Sequence, residues 1–336
     1  MSPPAYMYAY VTVINVIIFV VGVIGNVMVL LVIVRMRALR TRVNYFLASL
    51  RVSDLLVLIV CQPSAMLSFY AQDKWLLGHF MCKLVPFLEH WTVHASVLTL
   101  LVIGIDRYVT ICRPGSALFP ARPVLYLCVV WLTAGVLSLP FVFLTSVEEE
   151  LYHDGTLVEV CRTKLVSLRS RMFVAFTFAF MFFFPLVLLC FLYFSVISRL
   201  RRLAVSHDTM TSVGGKVKGY RADDVRSSHS TWVGWLVGWL AALLTPGRPR
   251  LVNPATARSR HQVARMLLVI VTLFAVCFTP FKVLTLWLAF EETSRVQRLG
   301  FETFLNILSL CQMLTYFNSA GNPIIYAWMS PRFRRA

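Results

Sequence analysis

The apolar stretch VLTLLVIGIDRY, residues 97–108, ends in an acid, a base and a tyrosine. It belongs to a charge-poor run, residues 80–111, that exceeds the roughly 20 helical residues needed to cross a bilayer core. Ionisable side chains within or at the edge of a membrane helix are costly, and are therefore candidates for function. The stretch predicts a membrane-crossing helix that carries a switch, Asp106, Arg107 and Tyr108, at its inner end.

Charge-poor runs of similar length recur along the chain. Hydrophobic residues make up 58% of the sequence and charged residues only 14%, against roughly 25% charged residues in soluble domains. Because the runs occupy most of the 336 residues, we predict a single domain, residues 1–336, with the fold of an all-α membrane protein, a seven-transmembrane helix bundle. The other six predicted helices cover residues 11–34, 43–68, 124–143, 172–197, 266–290 and 301–329.

The basic residues predict the orientation of this bundle. The chain has 32 Lys and Arg against 15 Asp and Glu, a net charge of +17. With the N-terminus outside, most of the basic residues fall in the inner loops and the tail, as the positive-inside rule requires. The charge then indicates an inner face that meets anionic membrane lipid or an acidic partner, and no nucleic acid is implied.

The second outer loop predicts a short β-hairpin and a covalent tie. Alternating apolar and polar residues at 157–160 follow the turn signal Asp154-Gly155, a pattern typical of a hairpin. Cys161 in this loop and Cys82 at the outer end of the third helix both face an oxidising compartment. They form either a disulfide, which would hold the hairpin as a lid over the bundle, or two free thiols.

The third inner loop, residues 204–257, is rich in Ser, Gly and Arg over residues 206–230, which predicts disorder. It also contains a Trp-Gly repeat at residues 232–244, with Trp232, Trp235 and Trp239. This segment falls short of the roughly 17 residues needed to span a bilayer. It is either a short interfacial helix or a poorly defined insert.

Short motifs at consistent depths carry a family resemblance. The inner end of the seventh helix reads Asn322-Pro323-Ile-Ile-Tyr326, where proline removes a backbone hydrogen bond and allows a kink. Together with Asp106-Arg107-Tyr108 at the inner end of the third helix, this motif makes the chain resemble a rhodopsin-like (class A) G-protein-coupled receptor. The resemblance implies a plasma-membrane protein that activates a heterotrimeric G protein through Asp106, Arg107, Tyr108, Tyr193, Asn322, Pro323 and Tyr326. Further landmarks are Gly25, Asn26, Asp54, Cys82, Trp131, Pro185, Phe274, Cys277, Pro280 and Phe333.

The same resemblance implies an allosteric sodium ion in mid-bundle, held by Asp54, Ser96, Asn318, Ser319 and Asn322. Oxygen ligands around one carboxylate suit a hard cation. The chain departs from the family at Arg51, one helical turn before Asp54, where most members have a small residue. Arg51 either pairs with Asp54 and displaces the ion, or snorkels towards the inner interface. Two further departures are Phe278 in place of the usual tryptophan, and Arg260 near where some members place an acidic lock partner.

Polar residues in the outer half suggest a ligand pocket formed by Glu89, His90, Phe281, Lys282 and Gln312. A carboxylate facing an ammonium is either a satisfied structural pair or part of a polar pocket. The surrounding sequence resembles receptors for ecdysis-triggering hormone and thyrotropin-releasing hormone, which implies an amidated neuropeptide ligand and a G protein of the Gq class. The alternatives are a receptor for a lipid or small molecule, and a seven-helix transporter. No phosphate-binding glycine loop, metal-ligand spacing or catalytic triad is evident, so we predict no enzyme and no catalytic cofactor.

Overall fold

The computed structural model describes residues 3–37, 41–113, 122–151, 155–165, 167–212, 254–291 and 298–329. The Trp-Gly repeat and Phe333 lie outside the described residues, as does the side chain of Arg260. The described residues form seven helical segments and one β-hairpin. The helices are α1 (Ala5–Arg35), α2 (Arg42–Tyr70), α3 (Gly78–Cys112), α4 (Pro123–Leu144), α5 (Leu168 through Ser212), α6 (Pro254–Phe290) and α7 (Phe301–Met329).

The helices follow the predicted apolar runs, but most of them extend beyond the ends of those runs. Only α7 has the bounds of its run, whereas α5 continues to Ser212 and α6 begins at Pro254. The third inner loop therefore starts later and ends earlier than the 204–257 given by hydropathy. Hydropathy marks the part of a helix inside the hydrocarbon, and backbone hydrogen bonding continues the helix into water.

Six of the described helices, α1 to α6, are long and apolar enough to cross a membrane. The remaining one, α7, is 29 residues long and carries several polar residues in its inner half, among them Asn318, Ser319 and Asn322. These side chains are buried against the other helices, so the polarity of α7 is directed into the bundle. Large apolar side chains such as Phe143 and Phe194 are exposed on the outside, as a lipid-facing surface requires.

The helices form a closed ring, since α7 packs against both α6 and α1. The buried side chains divide into three apolar clusters, which lie in the middle of the bundle, towards its outer end and at its inner end. Residues of α3 contribute to all three: Leu100 to the middle one, Leu88 to the outer one and Tyr108 to the inner one. Helix α3 is therefore the central packing element of the bundle.

The second outer loop contains the predicted hairpin. Strands β1 (Thr145–Leu151) and β2 (Leu157–Thr163) pair antiparallel, with Val147 opposite Cys161. Cys161 forms a disulfide with Cys82 at the outer end of α3. The backbone amide of Trp75, in the loop before α3, donates a 2.7 Å hydrogen bond to the carbonyl of Glu159. The disulfide prediction is confirmed, and the hairpin is fixed at two points over α3.

Helices α1 and α7 approach closely at Gly25. A Cβ atom at this position would lie 2.8 Å from Cβ of Pro323, inside van der Waals contact with a rigid ring. We expect Gly25→Ala to lower the free energy of unfolding by about 1–3 kcal/mol, as overpacked core sites do. Thermal unfolding of the purified protein measures this change. Ile24→Ala, on the lipid-facing side of the same turn, should change it little, and equal stability of both variants would contradict the tight contact.

Candidate functional site

The inner end of α3 holds a buried carboxylate between two cations. Arg107 forms an ion pair with Asp106, and its Nε donates to Oδ2 of Asp106 at 3.1 Å. The second cation is Arg42 at the start of α2, whose Nη1 lies 3.8 Å from Oδ1 of Asp106. Sequence reasoning missed Arg42 because nothing in the linear pattern shows which loop arginine reaches α3. The ion pair with Asp106 therefore restrains Arg107, and no acidic residue of α6 is needed for this.

Tyr108, the next residue, packs into the inner end of the bundle. Its buried ring belongs to an apolar cluster with Leu192 and Val196 of α5 and Ala264 of α6. One turn earlier on α3, a Cβ atom at Gly104 would lie 3.1 Å from Leu189, so glycine allows α5 to approach closely. The inner ends of α3, α5 and α6 are therefore packed together, as expected of a resting state.

Two tyrosines link this end to α5 and α7. Tyr193 and Tyr326 are both fully buried and belong to the middle apolar cluster. The hydroxyl of Tyr193 has no hydrogen-bond partner among the described residues, and it would lie 3.8 Å from a Cβ atom at Gly104 of α3. Of the predicted switch residues, Tyr193 of α5 and Tyr326 of α7 thus share one apolar cluster.

A second buried ion pair lies deeper in the bundle, between Arg51 and Asp54 of α2. Arg51 has no solvent-exposed side-chain surface, and its Nη1 lies 3.0 Å from Oδ2 of Asp54. The same nitrogen donates a 3.0 Å hydrogen bond to Oδ1 of Asn26 on α1. Its Cζ lies 4.9 Å from the centre of the Tyr326 ring on α7. Arg51 therefore pairs inward and does not snorkel to the interface.

The residues expected to bind sodium include one member of this pair, Asp54. Asp54, Asn318, Ser319 and Asn322 are buried, while Ser96 is partly buried. Asn322 donates from Nδ2 to Oδ2 of Asp54 at 3.2 Å. The Oδ1 atoms of Asn318 and Asn322 have no hydrogen-bond partner among the described residues. The sodium site stays a prediction, and its one carboxylate already faces a guanidinium.

In the outer half, Glu89 of α3 and Lys282 of α6 are both half-buried. The ion pairs of the described residues do not include a contact between these two side chains. A satisfied structural pair would be in direct contact. The separation leaves both groups able to bind an additional molecule. Phe281, beside Lys282, is also half-buried.

The histidines of α3 are engaged by α4. The ring of His90 stacks on Phe141, with ring centres 3.5 Å apart, and its Nδ1 lies 2.9 Å from the carbonyl oxygen of Pro86. One turn below, Nδ1 of His94 lies 2.9 Å from Oγ of Ser138. His90 therefore packs in the α3–α4 contact in this structure, and its place in the ligand pocket stays a prediction.

Gln312 faces the opposite side of the bundle. With Tyr316 and Asn15, it lines a narrow cavity of about 20 Å³ between α1, α2 and α7. Phe69 of α2 lines both this cavity and a larger one of about 280 Å³ beneath the hairpin. Sequence reasoning did not anticipate this outer opening, which is formed by residues distant in the chain. The larger cavity is lined by Pro3, Phe69, Gln72, Asp73, Glu150, Leu151, Val160, Arg162, Phe301 and Leu305.

Charged side chains at the rim of the larger cavity are partly neutralised. Nη1 of Arg162 lies 2.6 Å from Oε1 of Glu150. Burial raises the pKa of Asp73, an effect that the positive charge of Arg162 opposes. With two carboxylates against one guanidinium, this part of the opening favours cationic groups.

Comparison with known proteins places this geometry in context. The family model described as "7 transmembrane receptor (rhodopsin family)" matches residues 25–326. A QRFP-like peptide receptor from Branchiostoma floridae is 28% identical over 325 residues, covering 95% of this chain and 74% of that protein. The thyrotropin-releasing hormone receptor of Gallus gallus is 30% identical, with 94% and 74% covered. The neuromedin-U receptor 2 of Mus musculus is 31% identical, with 97% and 73% covered.

Proposed function

Because this chain belongs to the rhodopsin family of seven-transmembrane receptors, we propose that it binds an extracellular neuropeptide and activates a heterotrimeric G protein of the Gq class. Family membership makes the chain a multi-pass signalling receptor of the plasma membrane and not an enzyme. The relatives named above are peptide or peptide-hormone receptors, which supports a peptide ligand for this chain.

The observation that carries the proposal is the separated charge pair, Glu89 and Lys282. Both groups are half-buried and have no direct ion-pair partner in the described part of the chain. A peptide offers a donor and an acceptor on one backbone unit, so a single segment can satisfy both charges. An amidated end supplies the same two functions without adding a negative charge.

The outer cavity supports an entry route for such a peptide. It lies beneath the hairpin, and Phe69 in its lining also lines the narrower cavity that contains Gln312. The carboxylates of Asp73 and Glu150 at its rim attract basic groups of a ligand. The peptide would thus enter at this rim and extend between the helices towards Glu89 and Lys282.

Activation follows from the position of the two charges on α3 and α6. A ligand shifts the equilibrium between two receptor states only through its different affinity for them. A bound peptide that changes the distance between Lys282 and Glu89 would shift the outer end of α6 relative to α3, away from its resting position. Its inner end then leaves the cluster around Tyr108, which frees Arg107 for the G protein. The basic inner loops contact anionic lipid beside that partner.

The proposal is tested by calcium mobilisation in cells that express the full chain, against a panel of amidated neuropeptides. A saturable response to one peptide, abolished by a Gq inhibitor, is the expected result. A response only to a lipid or small molecule would overturn the peptide assignment. A peptide response through another G protein would overturn only the Gq assignment.

Neutralising the charge pair should weaken the peptide. We expect Glu89→Gln and Lys282→Met each to lower potency about 10- to 100-fold, since a hydrogen bond to a charged group contributes about 1.5–3 kcal/mol. Concentration–response curves at matched surface expression measure this change. The exposed residues Glu149 and Lys83 provide matched controls, and Glu149→Gln and Lys83→Met should leave potency unchanged. Unchanged potency in both pocket variants would remove this pair from the site.

A further inference from the structure

The side chain of Arg51 makes contacts that cross three helices in the middle of the bundle. It is the largest of the fully buried side chains in the described part of the chain. Its guanidinium contacts the carboxylate of Asp54 and the amide oxygen of Asn26 through the same nitrogen, and lies against the Tyr326 ring. Its Nε also lies 3.4 Å from the carbonyl oxygen of Leu47. The group therefore connects α1, α2 and α7 at one point.

The guanidinium does at this site what a bound metal cation would do. A buried carboxylate is stable only when an opposite charge or several donors compensate it. Asp54 receives one full positive charge from Arg51 and one amide hydrogen bond from Asn322. Its charge is therefore already neutralised by the protein itself.

A sodium ion does not fit beside this pair. An ion bound to Asp54 would lie about 5 Å from the guanidinium, and at an effective dielectric constant of about 20 the repulsion weakens cation binding roughly 100-fold. The Nη1 atom also occupies the Oδ2 side of the carboxylate. The unpaired Oδ1 atoms of Asn318 and Asn322 are neutral dipoles and do not offset a second full charge.

We infer that the guanidinium of Arg51 is the permanent cation of this pocket, which takes the place of an exchangeable sodium ion and ties Tyr326 of α7 to Asp54 of α2. Since this cation is covalently attached, its occupancy does not depend on the sodium concentration. The resting position of the inner end of α7 is then set by the protein alone. This inference goes beyond the proposed function and requires neither a peptide nor a G protein.

The test is thermal unfolding of the purified full chain, titrated with sodium chloride against choline chloride at equal ionic strength. The unfolding temperature of the wild-type protein should be the same in both salts, within about 1 °C. Arg51→Ala removes the guanidinium and opens its space, so this variant should gain a saturable, sodium-specific rise of about 3 °C. Arg51→Ala combined with Asp54→Asn is the matched control, and should show no such rise because the carboxylate is gone.

Two results would overturn the inference. One is a saturable sodium-specific stabilisation of the wild-type protein, which would show that ion and guanidinium bind together. The other is a folded Arg51→Ala variant without any sodium response, which would show that the pocket does not select this cation. If Arg51→Ala folds only when sodium is present, the inference is supported. If it folds in neither salt, the titration of the wild-type protein tests the inference by itself, since a sodium-specific stabilisation there would contradict it.

Discussion

Replacement of Arg107 by alanine should lower peptide-driven nucleotide exchange on the G protein by at least about 100-fold, with peptide binding nearly unchanged. The side chain of Arg107 is 18% exposed at the inner end of α3, and its guanidinium is the group that the bound G protein would meet once α6 moves. Loss of two charge-assisted hydrogen bonds, each about 1.5–3 kcal/mol, accounts for a change of this size. The ligand pocket lies at the other end of α3 and keeps its residues.

The structure also indicates that this variant will fold. Asp106 is buried, but it keeps Arg42 as a second cation at 3.8 Å after Arg107 is removed, so no isolated buried carboxylate is created. The measurement is exchange of a labelled, non-hydrolysable guanine nucleotide on purified G protein, together with peptide binding to the same membranes. Arg42→Ala removes a positive charge beside the same carboxylate and should preserve signalling. Full exchange by the Arg107→Ala protein would exclude Arg107 as the output residue.

Breaking the buried pair Arg51–Asp54 should have the largest effect on stability. Asp54→Asn leaves a fully buried guanidinium without its carboxylate, and Arg51→Met leaves a buried carboxylate without its cation. Each change should cost about 3–5 kcal/mol, the usual effect of removing one partner of a buried pair. The double variant contains no uncompensated charge and a side chain of similar length, so it should be more stable than either single variant.

The difference between the stability change of the double variant and the sum of the two single changes is the measurable quantity. Thermal unfolding of the wild-type protein, both single variants and the double variant gives a coupling energy between the two sites. Arg122→Met, at an exposed arginine before α4, is the control for loss of a positive charge and should change stability by less than about 0.5 kcal/mol. Additive effects at residues 51 and 54 would show that the pair is not formed. Methionine fills the space that alanine opens, so Arg51→Met should not gain the sodium response of Arg51→Ala.

Much of this protein follows from local sequence patterns. The charge-poor runs predicted the helices and their order, because each bilayer crossing requires about 20 apolar residues. Lipid offers no hydrogen-bond partners to backbone amides and carbonyls, so a crossing segment must pair these groups internally, as a helix does. Basic loops predicted the orientation. Alternation next to Asp154-Gly155 predicted the hairpin, and the location of Cys82 and Cys161 predicted their disulfide. Each of these signals depends on residues that are near one another or on a general property of the compartment.

Which side chains meet inside the bundle was decided by the tertiary structure. The rotation of each helix about its axis directs His90 towards Phe141 of α4 and Gln312 towards the cavity between α1 and α2. Hydropathy does not encode that rotation, because the residues around most of each helix are apolar.

The partners of the buried charges show the same division. The sequence placed Arg51 one turn from Asp54 but left open whether it pairs or snorkels. The contacts with Asn26 and Tyr326 resolve this, since two further helices supply the oxygen and the ring that hold the guanidinium inside. The resting restraint on Arg107 likewise comes from Asp106 together with Arg42 at the start of α2. Hydropathy and spacing act within one segment and determine the helices, whereas a buried charge is stabilised by groups from several segments that only the packed bundle brings together.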